Sequence, residues 1–385
     1  MIPRILGLTN YNESVFLFGP RQTGKTYLIK SSLKPDLYID LLKNDQYLRY
    51  SKDLSLLPKE VAALKPEKLL VVIDEIQRVP EMLNDVHSLM ESERNIRFIL
   101  TGSSARKLRR GGVNLLGGRA ITRHLHPLTS QELKEDFSLE ACLRFGTLPK
   151  VVLTKDLPAK IRLLKSYVEN YLIEEIQQEA LTRNVPAFSR FLELAAFENG
   201  NILNFSNISR EAGVDSKTIR EYFHILEDTL LGFFLYPLTR SHRKKLVSHP
   251  KFYLFDPGVA NALKHQLSAE LVPASRPYGD AFEHWIILET RRLVDYRERE
   301  VQLGFFRTTD GAEVDLILQQ GERIWAVEIK SGSRPRLADV GGLRSFIGDH
   351  PVARAICVCQ SPRPYKDHNI EFLPWQEFLG ELRLL

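Results

Sequence analysis

The segment Gly19-Pro-Arg-Gln-Thr-Gly-Lys-Thr26 constrains this chain more than any other stretch. It follows the apolar run Val15-Phe-Leu-Phe18 and leads into a helical pattern, so a Gly-x4-Gly-Lys-Thr spacing sits between a strand and a helix. Glycines there let the main chain curl until successive N–H groups and a helix N-terminus face one point. The result is a concave site for phosphate oxygens, reinforced by the helix dipole. Gly19, Pro20, Arg21, Gln22, Thr23, Gly24, Lys25 and Thr26 are therefore expected to surround a nucleotide, with Lys25 on its β- and γ-phosphates and Thr26 on Mg²⁺.

Two further strand ends support the same site. Leu69-Leu-Val-Val-Ile-Asp74-Glu75 finishes a buried strand in adjacent carboxylates. Asp74 is expected to hold Mg²⁺ through water and Glu75 to polarise an attacking water. A positioned base of this kind suits hydrolysis better than transfer to an acceptor hydroxyl. The run Ile96-Arg-Phe-Ile-Leu100 ends in Thr101-Gly-Ser103-Ser104, which puts Thr101 and Ser103 in place to sense the terminal phosphate. Arg119 follows Leu115-Leu-Gly-Gly118, a flexible approach for an arginine that reaches a neighbouring subunit's nucleotide. Strand, loop and helix alternate over residues 1–135, which predicts a parallel sheet flanked by helices.

Beyond this the pattern changes. Thr129-Ser-Gln-Glu132 reads as a helix capping box, and residues 136–200 are expected to form a helical lid. Residues 201–265 read as helix, turn, helix and hairpin, the order of a winged helix. Its recognition helix would be capped by Ser216 and would present Lys217 and Arg220. Basic residues cluster in Arg106-Lys-Leu-Arg-Arg110 and in Arg240-Ser-His-Arg-Lys-Lys245, the second between the hairpin strands, so DNA is the expected macromolecular partner.

Residues 266–385 read as a second α/β region: a helix from about Gly279 to Asp295, then strands near 303–307, 313–318 and 324–329. Strand alternation brings Glu328 and Lys330 to one face, with Asp315 on the neighbouring strand and Glu283 on the preceding helix. Two carboxylates and an ammonium at a hairpin suit a metal-and-water site for phosphodiester cleavage. In that reading Glu283, Asp315 and Glu328 are metal ligands and Lys330 acts on water.

The set Gly19 to Thr26, Leu69 to Glu75, Leu100 to Ser104 and Gly117-Gly-Arg119 resembles prokaryotic AAA-type P-loop ATPases that carry a C-terminal domain of unknown function. Leu235-Tyr-Pro237, Lys244-Lys245, Pro250 to Tyr253, Asp256-Pro-Gly258, Gly279 to Glu289, Glu313-Val-Asp315 and Glu328-Ile-Lys330 extend that resemblance along nearly the whole chain. ATP and Mg²⁺ are the expected ligands, and the reach of Arg119 to a neighbouring subunit makes a homo-oligomer, with a ring as one form, the expected assembly. The order helix Glu, strand Asp, strand Glu-x-Lys also resembles the PD-(D/E)xK fold of restriction endonucleases. A competing expectation is a nucleotide-controlled switch whose C-terminal domain binds a partner without chemistry.

Bulk properties narrow the class. A hydrophobic content of 43% with 26% charged residues is that of an ordinary globular protein, so disorder is not expected. A net charge of +5 over 385 residues permits an anionic partner without requiring one. Cys142, Cys357 and Cys359 do not suggest a disulfide framework or a zinc site. No run approaches the roughly 20 apolar residues of a membrane span, and the expectation is a cytoplasmic protein.

Overall fold

The computed structural model describes residues 2–65, 67–92, 95–103, 106, 108, 116–172, 184–238 and 249–385. They form two compact units. The first holds the residues up to Leu128 together with Ile225–Leu231, and the second holds most of the chain from Thr129 onward.

The first unit is built on strands β1 (Ser14–Phe18), β2 (Leu37–Asp40), β3 (Lys68–Asp74), β4 (Asn95–Gly102) and β5 (Ala120–His124). Their order is β2-β3-β4-β1-β5, and every neighbouring pair is parallel. All residues of β1 are buried, as expected for a strand covered on both faces. Helices α1 (Lys25–Ser32), α2 (Asn44–Lys52), α3 (Leu56–Ala63) and α4 (Met82–Glu91) alternate with the strands. Leu57 and Val61 of α3 and Leu83 and Val86 of α4 join Phe16, Ile73 and Phe98 of the sheet in one core. A parallel sheet turns all its carboxyl ends to one edge. Gly19, Asp74-Glu75 and Thr101 to Ser103 therefore share an edge despite their separation in sequence.

The second unit opens with α5 (Ser130–Leu133), where Thr129 and Glu132 form the expected capping box. Helices α6 (Leu139–Phe145), α7 (Pro149–Leu153), α8 (Leu157–Ser166) and α9 (Val185–Phe197) follow, with a π-helical turn at Tyr167–Leu172. Next come α10 (Phe205–Ala212), a left-handed Gly213 and α11 (Ser216–Asp228), then the antiparallel strands β6 (Gly232–Pro237) and β7 (Lys251–Leu254). The helix–turn–helix–hairpin order is present, with two differences from expectation. Asp215, not Ser216, caps α11: its carboxylate accepts from the N–H groups of Lys217 and Thr218, both at 2.9 Å, and one carboxylate serves two donors where a hydroxyl would serve one. The hairpin is also not a free wing. Phe233, Phe234 and Leu235 make β6 an apolar strand, and it pairs with β8 (Gln302–Arg307) as well as with β7.

That pairing places the hairpin at the edge of an eight-stranded sheet of order β12-β13-β11-β10-β9-β8-β6-β7. The other strands are β9 (Glu313–Gln320), β10 (Arg323–Ile329), β11 (Arg354–Cys359), β12 (Tyr365–Asp367) and β13 (Ile370–Pro374). Helices α12 (Pro257–Leu263), α13 (Arg276–Tyr296), α14 (Gly341–Asp349) and α15 (Trp375–Glu381) complete the unit. Leu343 and Phe346 of α14 pack with Val314, Ile317 and Ala326 in its core, and the three cysteines are buried.

A buried polar network ties the helices together. Arg292 of α13 is 1% exposed; it donates to the Phe255 carbonyl at 2.8 Å and the Thr147 hydroxyl at 3.0 Å, and pairs with Glu289 at 3.4 Å. Glu289 accepts from the Ser130 N–H at 2.8 Å, and Asp256 caps α12 while accepting from the Thr147 N–H at 2.7 Å. Removing one member of such a buried set leaves its partner's charge uncompensated. Arg292→Met should lower the unfolding free energy by about 3–5 kcal/mol in urea titration. Arg276→Met, which breaks an exposed pair with Asp280, should change it by less than about 1 kcal/mol.

His284 of α13 gives the unit a pH dependence. Its Nε2 lies 2.7 Å from the Leu254 carbonyl, and burial pushes the imidazole down to about 3. The unfolded chain therefore takes up a proton near pH 6.5 that the folded chain refuses. The stability that His284 contributes above that pH should fall by on the order of 1 kcal/mol per pH unit between about 6.5 and 3, and comparison of wild type with His284→Gln should isolate it.

Candidate nucleotide site and C-terminal charge cluster

The Gly19–Thr26 loop is shaped from both sides. A Cβ on Gly19 would stand 2.4 Å from the Leu125 carbonyl oxygen, so only glycine lets the chain pass the end of β5. Gly24 at φ +96° turns the loop into α1, whose first N–H groups have no side-chain cap. Arg4 donates to the Thr23 carbonyl at 2.8 Å and to the His126 carbonyl at 2.6 Å, fastening the loop to the chain leaving β5. Thr23 donates to the Pro20 carbonyl at 2.9 Å. Lys25 is 6% exposed; its ammonium donates to the Gly19 carbonyl at 2.7 Å and the Pro20 carbonyl at 3.3 Å, so its charge lies within the curl of the loop.

Asp74, 1% exposed, is the centre of the strand edge. Its Oδ2 accepts from the Thr26 hydroxyl at 2.8 Å and the Tyr38 hydroxyl at 2.7 Å, and its Oδ1 accepts from Thr101. The Thr101 hydroxyl in turn accepts from the Glu75 N–H at 3.1 Å. Burial and then Asp74 itself push the Tyr38 phenol upward, so Tyr38 remains a protonated donor. Glu75 sits in the left-handed region at φ 63°, and its carboxylate accepts from Gln77, whose amide nitrogen also lies 3.4 Å from the Ser103 hydroxyl.

The structure thus gathers Lys25, Thr26, Asp74, Glu75, Thr101 and Ser103 at one edge. Three hydroxyls, which are neutral donors, meet the Asp74 carboxylate. Thr26 and Asp74 consequently fit a phosphate-bound Mg²⁺, whose chemistry would be to neutralise phosphate oxygens. Arg4, Tyr38 and Gln77 escaped sequence reasoning. Tyr38 is the second residue of a strand of only four, opposite Val72 on β3, and nothing in its local sequence marks it for Asp74. Arg119 is held elsewhere: its guanidinium meets Glu91 at 2.6 Å and His87 at 2.9 Å on α4, with 43% of the side chain exposed.

In the second unit, β9 and β10 are antiparallel neighbours, and Asp315 and Glu328 are 8% and 6% exposed. Asp315 accepts from the Ile329 N–H at 2.7 Å, and Lys330 pairs with Glu328 at 2.7 Å. Glu283 accepts from the Tyr253 hydroxyl at 2.8 Å and lies 3.5 Å from the Lys251 ammonium. Lys251, 3% exposed, also meets Glu313 at 2.6 Å, and Arg307 donates to Glu313 at 2.8 Å. Burial, then Glu328 and Glu283, push Asp315 well above the usual carboxylate range; burial also raises Glu328. Burial alone would lower Lys251, but the acidic groups around it outweigh that and hold it well above its ordinary value.

Among the described residues no group of three or more His, Cys, Asp or Glu side chains is placed to hold a metal ion. In the expected set, Glu283 meets Lys251 and Tyr253, Asp315 meets the Ile329 N–H, and Glu328 meets Lys330 through Oε1 while its buried Oε2 has no hydrogen-bond partner. Lys251, Glu313 and Arg307 were not expected in this cluster.

The basic segments divide. Arg106 pairs with Asp228, while Lys107, Arg109, Arg110 and the segment Arg240 to Lys245 lie outside the described residues, as do Ser104 and Leu115. Lys217 and Arg220 are exposed on α11, with the Arg220 guanidinium 4.2 Å from the centre of the Phe205 ring.

Comparison with known proteins finds three family matches along the chain. Residues 11–134 match the AAA domain family, residues 136–270 match a domain of unknown function (DUF8612), and residues 278–378 match another (DUF4143). An AAA domain is therefore present. Uncharacterized proteins of Mycobacterium bovis and Mycobacterium tuberculosis are each 25% identical over 350 residues, covering 89% of this chain and 76% of the relative. An uncharacterized protein of Haemophilus influenzae is 23% identical over 344 residues, covering 84% and 81%. Among the described residues no helix is long and apolar enough to cross a membrane.

The contact at Gly19 gives a direct check. Gly19→Ala should weaken binding of a fluorescent ATP analogue by more than about tenfold, because the loop must move off the Leu125 carbonyl to admit a methyl group. Unchanged affinity would show that the loop does not hold the nucleotide.

Proposed function

We propose that this chain is a cytoplasmic ATP-binding and ATP-hydrolysing protein whose nucleotide state controls its hold on DNA. The observation that carries the ATPase reading is the meeting of Thr26, Asp74, Thr101 and Glu75 beside the uncapped start of α1. Lys25 and the loop N–H groups bind phosphates, Thr26 and Asp74 hold Mg²⁺, and Thr101 and Ser103 report the terminal phosphate. Glu75 orients and polarises the attacking water once Gln77 releases it. Arg119, on a half-exposed surface, serves the site of a second copy in a homo-oligomer, with a ring as one closed form.

DNA is the partner that suits α11, where Lys217 and Arg220 face solvent, together with the basic run Arg240 to Lys245. The C-terminal cluster supports binding rather than cleavage. Asp315, Glu328 and Lys330 are the candidates for phosphodiester chemistry, but Lys330 is paired with Glu328 and Asp315 accepts from the Ile329 N–H.

Glu75→Gln should retain ATP binding while phosphate release slows by about 10²-fold or more. Normal turnover would mean that another residue positions the water. DNA affinity should fall on the order of 10³- to 10⁵-fold between 50 and 200 mM salt if six to ten phosphates are contacted. Binding insensitive to salt would count against DNA.

A further inference from the structure

We propose that the ammonium of Lys251 is the resident cation of the C-terminal carboxylate cluster, so that this site is charge-compensated by the protein itself and takes no divalent metal ion. The proposal goes beyond the ATPase reading and stands or falls without it.

Lys251 opens strand β7, a position where a lysine ordinarily points into water, yet it is 3% exposed. Its Nζ lies 2.6 Å from Glu313 Oε1 on β9 and 3.5 Å from Glu283 Oε1 on α13, with the Phe305 ring centre at 5.4 Å. One ammonium therefore joins an edge strand, an inner strand and a helix. Two residues along β7, on the same face, Tyr253 gives Glu283 its second donor at 2.8 Å. Two carboxylate oxygens converge on Nζ, where a metal site would place its cation.

A divalent ion at this point would meet a buried positive charge in surroundings that screen poorly. It could enter only if Lys251 left, which would strip the ammonium of two carboxylate partners. Lys330 completes the arrangement on the other side by pairing with Glu328 at 2.7 Å. The cluster has the acidic composition of a metal site and the cations of a structural one.

Mn²⁺ alone, titrated into the nucleotide-free full-length chain and counted by electron paramagnetic resonance, tests this. Wild-type protein should bind no Mn²⁺ that Asp315→Asn removes. Lys251→Met should bind Mn²⁺ at least tenfold more tightly than wild type, lose that gain when Asp315→Asn is added, and melt at a temperature that rises with Mn²⁺. If Lys251→Met does not fold, Lys251→Met/Glu283→Gln, which deletes one charge of each sign, carries the same expectation. One Mn²⁺ per wild-type chain that disappears in Asp315→Asn would overturn the proposal. So would a folded Lys251 variant that gains no site.

Discussion

The carboxylate of Asp74 is the interaction on which the nucleotide unit depends. It stands at the end of a strand buried on both faces, 1% exposed, where an unsatisfied charge would be costly. Thr26, Tyr38 and Thr101 bring three hydroxyls to it from α1, β2 and β4. Each of those residues is placed by the sheet rather than by its neighbours in sequence. A parallel sheet delivers its carboxyl ends to one edge, so satisfying Asp74 also fixes where α1 begins and where Glu75 turns left-handed. The phosphate loop then needs only glycine at the Leu125 contact and the Arg4 clasp to hold its curl.

The second unit meets the same requirement by different means. Its buried charges are matched by opposite charges: Arg292 with Glu289, Lys251 with Glu313, Lys330 with Glu328. Of these, the Lys251–Glu313 pair joins elements distant in sequence, and the pairing of β6 with β8 makes the hairpin β6–β7 part of an eight-stranded sheet. A hairpin held in this way is not an independent wing, whatever the exposed face of α11 binds.

Much of this was legible beforehand, for identifiable reasons. Val15-Phe-Leu-Phe18 and Leu69 to Ile73 are continuous apolar runs, and such runs beside helical segments leave little alternative to a parallel sheet. The loop announced itself because its glycines, Lys25 and Thr26 are contiguous. Tyr38, Arg4 and Gln77 were not legible, because their value lies in a sheet order that no local pattern encodes. Lys251 was not legible as a buried cation, because nothing local at a strand's first position marks it as one. Only the pairing of β6 with β8 gives it neighbours on β9 and α13. The surroundings of Glu283, Asp315 and Glu328 were hidden for the same reason, since the sequence displays carboxylates but not which cation faces them.

The two carboxylate centres show why acidic residues alone do not define a metal site. Around Asp74 the donors are hydroxyls, which bring no opposing charge to the place where a cation would arrive with phosphate. Around Glu283, Glu313 and Glu328 the donors include ammonium and guanidinium groups, which satisfy lone pairs and cancel charge together. The first arrangement stores an attraction for a ligand; the second has already used it to close the fold. The chemistry open to each unit follows from the kind of donor its carboxylates meet.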